Sequence, residues 1–149
     1  MNPNSKPIII LMADDDADDR LLAKDALSEC HSNNELHFVE NGEELLDYLH
    51  RRGKYSATTA PRPGLILLDL NMPRKDGREA LREIKLDAEL RRIPVIVLTT
   101  SKADTDISKI YELGANSFIS KPVTFDSLVN VMKILGNYWF GIVELPVCK

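Results

Sequence analysis

The chain has 149 residues, 44% hydrophobic and 28% charged, which suits one soluble globular domain with a sizeable core. Its formal net charge is −4 and its basic residues form no stripe, so direct nucleic-acid binding is not expected. Cys30 and Cys148 stand far apart with no Cys-x-x-Cys spacing, which argues against zinc and against a redox dithiol. The N-terminus is short and polar and no apolar run is long enough to span a bilayer, so a cytoplasmic protein with no membrane association is expected.

Pro7 to Met12 is a continuous apolar run, the pattern of a strand buried on both faces, and acid follows it at Asp14-Asp15. Asp16, Ala17, Asp18 and Asp19 supply caps and first-turn negative charge for a helix from about Asp18 to Cys30. Leu22, Ala23, Ala26, Leu27 and Cys30 recur there at helical spacing. Leu36 to Val39 reads as a short strand. Asn41-Gly42-Glu43-Glu44 opens a second helix, with Leu45, Leu46, Tyr48 and Leu49 as its buried stripe and an end near Arg51-Arg52-Gly53. Lys54 to Pro63 contains Ser, Thr and two Pro, and is predicted to be a long loop.

Leu65 to Leu70 places five apolar residues in six positions, bounded by Pro63-Gly64 and Met72-Pro73. This is the pattern of a central buried strand, and it delivers Asp69. A turn-rich loop through Gly77 precedes a helix from about Arg78 to Asp87, with Ala80, Leu81, Ile84 and Lys85 on one side. Pro94 to Ser101 is a fourth strand ending in hydroxyls, and Asp104 to Leu113 a helix stopped by Gly114. Asn116 to Ser120 is a fifth strand, ending at Lys121-Pro122. Thr124 to Leu135 is a last helix with Phe125, Leu128, Val129, Met132 and Leu135 inward, closed by Gly136. Strands and helices alternate five times, so the expected fold is a doubly wound α/β sheet with helices on both faces.

In such a sheet, groups at the carboxyl ends of the strands face the crevice where ligands bind. Four strand ends there carry distinct groups: Asp14-Asp15, Asp69, Thr99 and Lys121. Singly each has a bland reading, as a helix cap, a turn residue, a packed β-branched residue or a surface lysine. Together they form a phosphoryl-accepting constellation. Clustered carboxylates repel unless a cation neutralises them, and hard oxygen ligands with open water positions suit Mg²⁺. Thr99 can donate its hydroxyl to one phosphoryl oxygen and Lys121 can pair with another.

With Thr99 and Lys121 standing 30 and 52 residues after Asp69, the chain resembles the CheY-like receiver domains of two-component response regulators over roughly residues 7 to 136. The resemblance implies the strand order 2-1-3-4-5 and Asp69 as phosphoacceptor. It implies Mg²⁺ bound by Asp14, Asp15, Asp69 and the backbone carbonyl of Asn71, with Asp15 a direct ligand and Asp14 mostly water-mediated. It further implies a cis Lys121-Pro122 peptide bond and an aromatic switch at Phe118, where many receivers carry Tyr. Residues 69–77, Leu98-Thr99-Thr100-Ser101, the long loop before the third strand and Tyr138-Trp139-Phe140 look like the phytochrome-associated regulators of the Rcp kind. In those regulators the partner is a bacterial phytochrome histidine kinase, and the regulator tends to dimerise through its C-terminal part.

The expected organisation is therefore a receiver domain over residues 1–136 and a tail over 137–149, with no output domain. The tail holds three of the chain's nine aromatic residues, Tyr138, Trp139 and Phe140. They either pack back on the last helix or form an exposed apolar patch that pairs with another protomer, as a homodimer, or with a downstream protein. A rival reading is an aspartyl-phosphate hydrolase of the haloacid-dehalogenase type. That class places a leaving-group acid two residues after its nucleophile, where this chain has Asn71, and here the acidic pair precedes Asp69. A flavodoxin-like cofactor site is disfavoured because acids, not a phosphate-cradling loop, follow the first strand.

Overall fold

A computed structural model describes residues 9–30, 35–70, 76–99, 108, 111–115, 117–120 and 125–136. Its centre is a parallel five-stranded sheet: β1 (Ile9–Ala13), β2 (Glu35–Val39), β3 (Leu65–Leu68), β4 (Val95–Thr99) and β5 (Ser117–Ser120), in the order β2-β1-β3-β4-β5. Helices α1 (Ala17–Cys30), α2 (Gly42–His50), α3 (Gly77–Leu86) and α4 (Phe125–Gly136) flank it. Ser108, Tyr111 and Glu112 are helical, inside the helix predicted before β5.

Period-two alternation along the central strands divides the core in two. Leu11, Ala13, Ile66, Leu68, Val95 and Val97 face α2 and α3 and pack on Leu45, Leu49, Ala80, Leu81 and Ile84. Ile10, Met12, Leu65, Leu67, Ile96 and Leu98 face the other way, onto Ala23, Ala26 and Leu27 of α1 and Val129 of α4. Both faces are covered, which is why these strands read as unbroken apolar runs. The edge strand β2 is only partly buried before Val39 and accordingly carries Glu35 and His37.

The predicted caps hold. Asp16 Oδ1 accepts from the N–H groups of Asp18 at 2.8 Å and Asp19 at 3.3 Å, and Asn41 Oδ1 accepts from Glu44 N–H at 2.7 Å. The α2 stripe is buried as read. One position of α1 differs: Leu22 is 37% exposed and Leu21 58%. Ala23, Ala26 and Leu27 are the buried face of α1, and Leu22 stands on its flank, about 100° round the helix from Ala23.

Residues 51–64 are more ordered than a polar loop suggests. Tyr48 Oη donates to Pro61 O at 2.8 Å, Arg51 Nε to Ala60 O at 3.2 Å, and Arg62 Nη1 to Leu49 O at 2.6 Å. Arg51 ends α2 in the left-handed conformation, φ 56°, a job the sequence assigns more naturally to Gly53. A 3₁₀ turn, Leu90–Arg92, links α3 to β4 and had no signal in the periodicity.

Candidate functional site

The strand register fixes the height of each group at the carboxyl edge. Ala13 pairs with Leu68, Leu68 with Val97, and Val97 with Phe118, so these four lie in one row across the sheet. Asp14 and Asp69 each follow that row by one residue. Asp69 N–H donates to Ala13 O at 2.9 Å and Asp14 N–H to Val39 O at 3.1 Å, so both acids leave β-structure still hydrogen-bonded to a neighbouring strand. Thr99 lies one row higher, paired with Ser120, and Lys121 is the next residue along the chain.

Asp14, Asp15 and Asp69 converge: each offers a carboxylate oxygen, and these oxygens all lie within 4.8 Å of one another. Asp14 is 0% and Asp69 7% exposed, and among the described residues they are the buried polar or charged side chains; Asp15 is exposed. At an effective dielectric constant near 20, two carboxylates this close repel by roughly 3 kcal/mol, and desolvation adds to the cost. A divalent cation between them would relieve that repulsion, and the three aspartates could coordinate one. The donors are all hard oxygens, two sheltered and one open to solvent, which fits an oxygen-seeking divalent ion that retains water.

The neighbouring backbone shapes this pocket. Asp16 N–H donates to Asp14 Oδ1 at 2.9 Å, turning the chain out of β1. Arg20, on the first turn of α1, donates through Nη1 to Asp14 O at 2.7 Å and reaches Glu40 Oε1 at 3.4 Å. Asp76 Oδ1 accepts from Arg78 N–H at 2.8 Å to cap α3, and Gly77 N–H donates to Leu70 O at 3.0 Å. A Cβ on Gly77 would stand 2.6 Å from Asp69 O and 2.7 Å from Leu70 Cα, so only glycine lets α3 start against the backbone that carries Asp69.

The three aspartates singled out in the sequence are thus brought together. Thr99 and Phe118 lie in β4 and β5, where their backbone pairing is as expected and their side chains lie outside the described residues. Asn71, Lys121, Pro122 with its cis bond, Tyr138, Trp139 and Phe140 also lie outside them. Sequence reasoning missed Arg20 and passed over Gly77 as turn punctuation. The available signals were faint: a lone cation closing the acidic run 14–20, and a glycine directly behind a capping aspartate.

A parallel 2-1-3-4-5 sheet with an aspartate cluster at its carboxyl edge is the arrangement expected of a phosphoryl-receiving signalling module. The family described as response regulator receiver domain matches residues 10–133, and the chain belongs to it. Response regulator Rcp1 of a Synechocystis strain is 38% identical over 143 residues, which cover 96% of either chain. The crystal structure of the phosphorylated cyanobacterial phytochrome response regulator RcpA superposes with a TM-score of 0.88 at 39% identity, covering 95% of this chain and 100% of that one. The Mn²⁺-bound crystal form of Rcp1 gives 0.86 at 38% identity, with the same coverage.

Membership fixes the type of chemistry. The domain takes a phosphoryl group onto itself and loses it by hydrolysis, rather than turning over an external substrate, and it implies a cognate histidine kinase as partner. Among the described residues no helix is long and apolar enough to cross a membrane.

Proposed function

We propose that this chain is a response regulator whose phosphoacceptor is Asp69 and whose metal is Mg²⁺, held by Asp14, Asp15, Asp69 and the backbone carbonyl of Asn71. The convergence of Asp14, Asp15 and Asp69 at the carboxyl edge carries the reading. A carboxylate oxygen of Asp69 attacks the phosphorus of a kinase phosphohistidine. The new O–P bond forms as the N–P bond breaks, and the imidazole nitrogen keeps the electron pair. Bound Mg²⁺ supplies charge neutralisation for the carboxylates and the phosphoryl oxygens. The Thr99 hydroxyl and the Lys121 ammonium bind the remaining phosphoryl oxygens. Phe118 moves into the space Thr99 leaves, and the surface around β4 and β5 shifts between two pre-existing arrangements.

The likeness to a regulator described as phytochrome-associated supports a bacterial phytochrome histidine kinase as the donor. Residues 1–136 form the receiver. Residues 137–149, with Tyr138, Trp139 and Phe140, form a homodimerisation extension of this cytoplasmic protein. Borohydride reduction of the phosphorylated chain followed by peptide mapping tests the acceptor, because an aspartyl phosphate is reduced to an alcohol at the modified position. Reduction at position 69 is expected; reduction at Asp14 or Asp15 instead would overturn the assignment.

A further inference from the structure

Asp14 is shut off from solvent, and hydrogen bonds hold its backbone as well as its carboxylate. Its N–H is held by Val39 O at 3.1 Å and its Oδ1 by Asp16 N–H at 2.9 Å. Its carbonyl oxygen is held at 2.7 Å by a side chain, Arg20 Nη1. The other arm of that guanidinium pairs at 3.4 Å with Glu40, just past the end of β2. From the first turn of α1, Arg20 therefore spans the carboxyl ends of β1 and β2 and closes the turn that carries Asp14 and Asp15. Its side chain is only 17% exposed, against 65% for Glu40, so the bridge is sheltered on the arginine side.

Two effects on a divalent cation oppose each other here. A guanidinium near three carboxylates repels a second cation, whereas a fixed Asp14–Asp15 turn leaves less disorder to lose when the ligands converge. Both arms of Arg20 are engaged outside the carboxylate cluster, one on a backbone carbonyl and one on Glu40, which weakens the repulsion and leaves the restraint. We infer that Arg20 is a positioning residue of the metal pocket: it holds the Asp14–Asp15 turn in its cation-binding geometry, so its loss weakens cation binding although a positive charge is removed. This rests on the reading of the aspartate cluster as a divalent-cation site.

The test is direct titration of the full chain with Mn²⁺, reading free Mn²⁺ by its electron paramagnetic resonance signal, with no phosphoryl donor present. Wild type, Arg20→Met, Arg20→Gln and Arg20→Lys are compared after circular dichroism has matched their folds. Both neutral variants are expected to bind about tenfold more weakly or worse, as for other residues that orient metal ligands, and Arg20→Lys to recover part of the loss. A folded neutral variant that binds Mn²⁺ as tightly as wild type, or more tightly, overturns the inference. If neither neutral variant folds, Arg20→Lys decides: weaker binding supports the role and unchanged binding refutes it. Wild type that takes up no Mn²⁺ overturns the metal reading itself, and the role of Arg20 falls with it.

Discussion

At the scale of single residues, the site depends on small groups whose partners are backbone atoms. Gly77 is the clearest. The atoms a Cβ would meet, Asp69 O and Leu70 Cα, are main chain and cannot rotate aside. Alanine gains up to about 1 kcal/mol over glycine in a helix, but forced overpacking costs about 1–3 kcal/mol. Gly77→Ala is therefore expected to lower the urea midpoint, by about 1–2 kcal/mol in unfolding free energy, and to slow phosphorylation by shifting Asp69; an unchanged midpoint contradicts the close approach. Asp14, Asp15 and Asp69 were legible in the sequence because each follows an unbroken apolar run, and charge at such a boundary stands out. Gly77 and Arg20 left only faint signals, because Gly77 acts by approaching the backbone of Asp69 and Leu70, and Arg20 by holding the Asp14 carbonyl and Glu40, contacts that the folded backbone sets.

At the scale of elements, α2 and its following loop form a unit stitched by two phenols. Tyr48 is 2% exposed with its hydroxyl on Pro61 O, and Tyr55 donates to Glu44 Oε1 at 2.9 Å, with the two ring centroids 5.2 Å apart. Burial pushes the Tyr48 phenol up to about 12, with Arg51 pulling in the opposite direction; burial, then the bond to Glu44, raises Tyr55 as well. The fold thus favours the neutral phenols. Their contribution is complete below the unfolded value near 10 and is lost as pH rises through the folded values, so stability should fall from pH 10 towards 12. Tyr48→Phe should cost about 1 kcal/mol at neutral pH and flatten that alkaline decline, measured by urea unfolding at several pH values; an unaltered slope contradicts the role given to Tyr48. Asn41→Ala should likewise cost about 1 kcal/mol through loss of the α2 cap, and an unchanged urea midpoint would contradict that role. The existence of α2 and its stripe was plain from periodicity and capping. The order in residues 51–64 was not, since it depends on which carbonyls the fold leaves within reach of Arg51, Arg62 and Tyr48. Nor was the 3₁₀ turn at Leu90–Arg92, which is held by Asp87 Oδ1 accepting from the N–H groups of Glu89 and Leu90.

At the scale of the whole molecule, topology converts sequence-distant acids into one pocket. Apolar runs such as Leu65 to Leu68 announce strands covered on both faces, but they do not say which strand lies beside which. The order β2-β1-β3-β4-β5 followed from resemblance rather than from any pattern in the runs. Once that order holds, β1 and β3 are neighbours, Ala13 and Leu68 share a row, and Asp14 and Asp69 must emerge side by side. The central claim is that this pocket accepts a phosphoryl group on Asp69 with the help of Mg²⁺. It is tested most directly by intact mass after incubation with acetyl phosphate, with and without Mg²⁺, for wild type and Asp69→Asn. A gain of one phosphoryl group in wild type, dependent on Mg²⁺ and absent from Asp69→Asn, is the expected result. An equal gain in Asp69→Asn, or a gain indifferent to Mg²⁺, would contradict the claim.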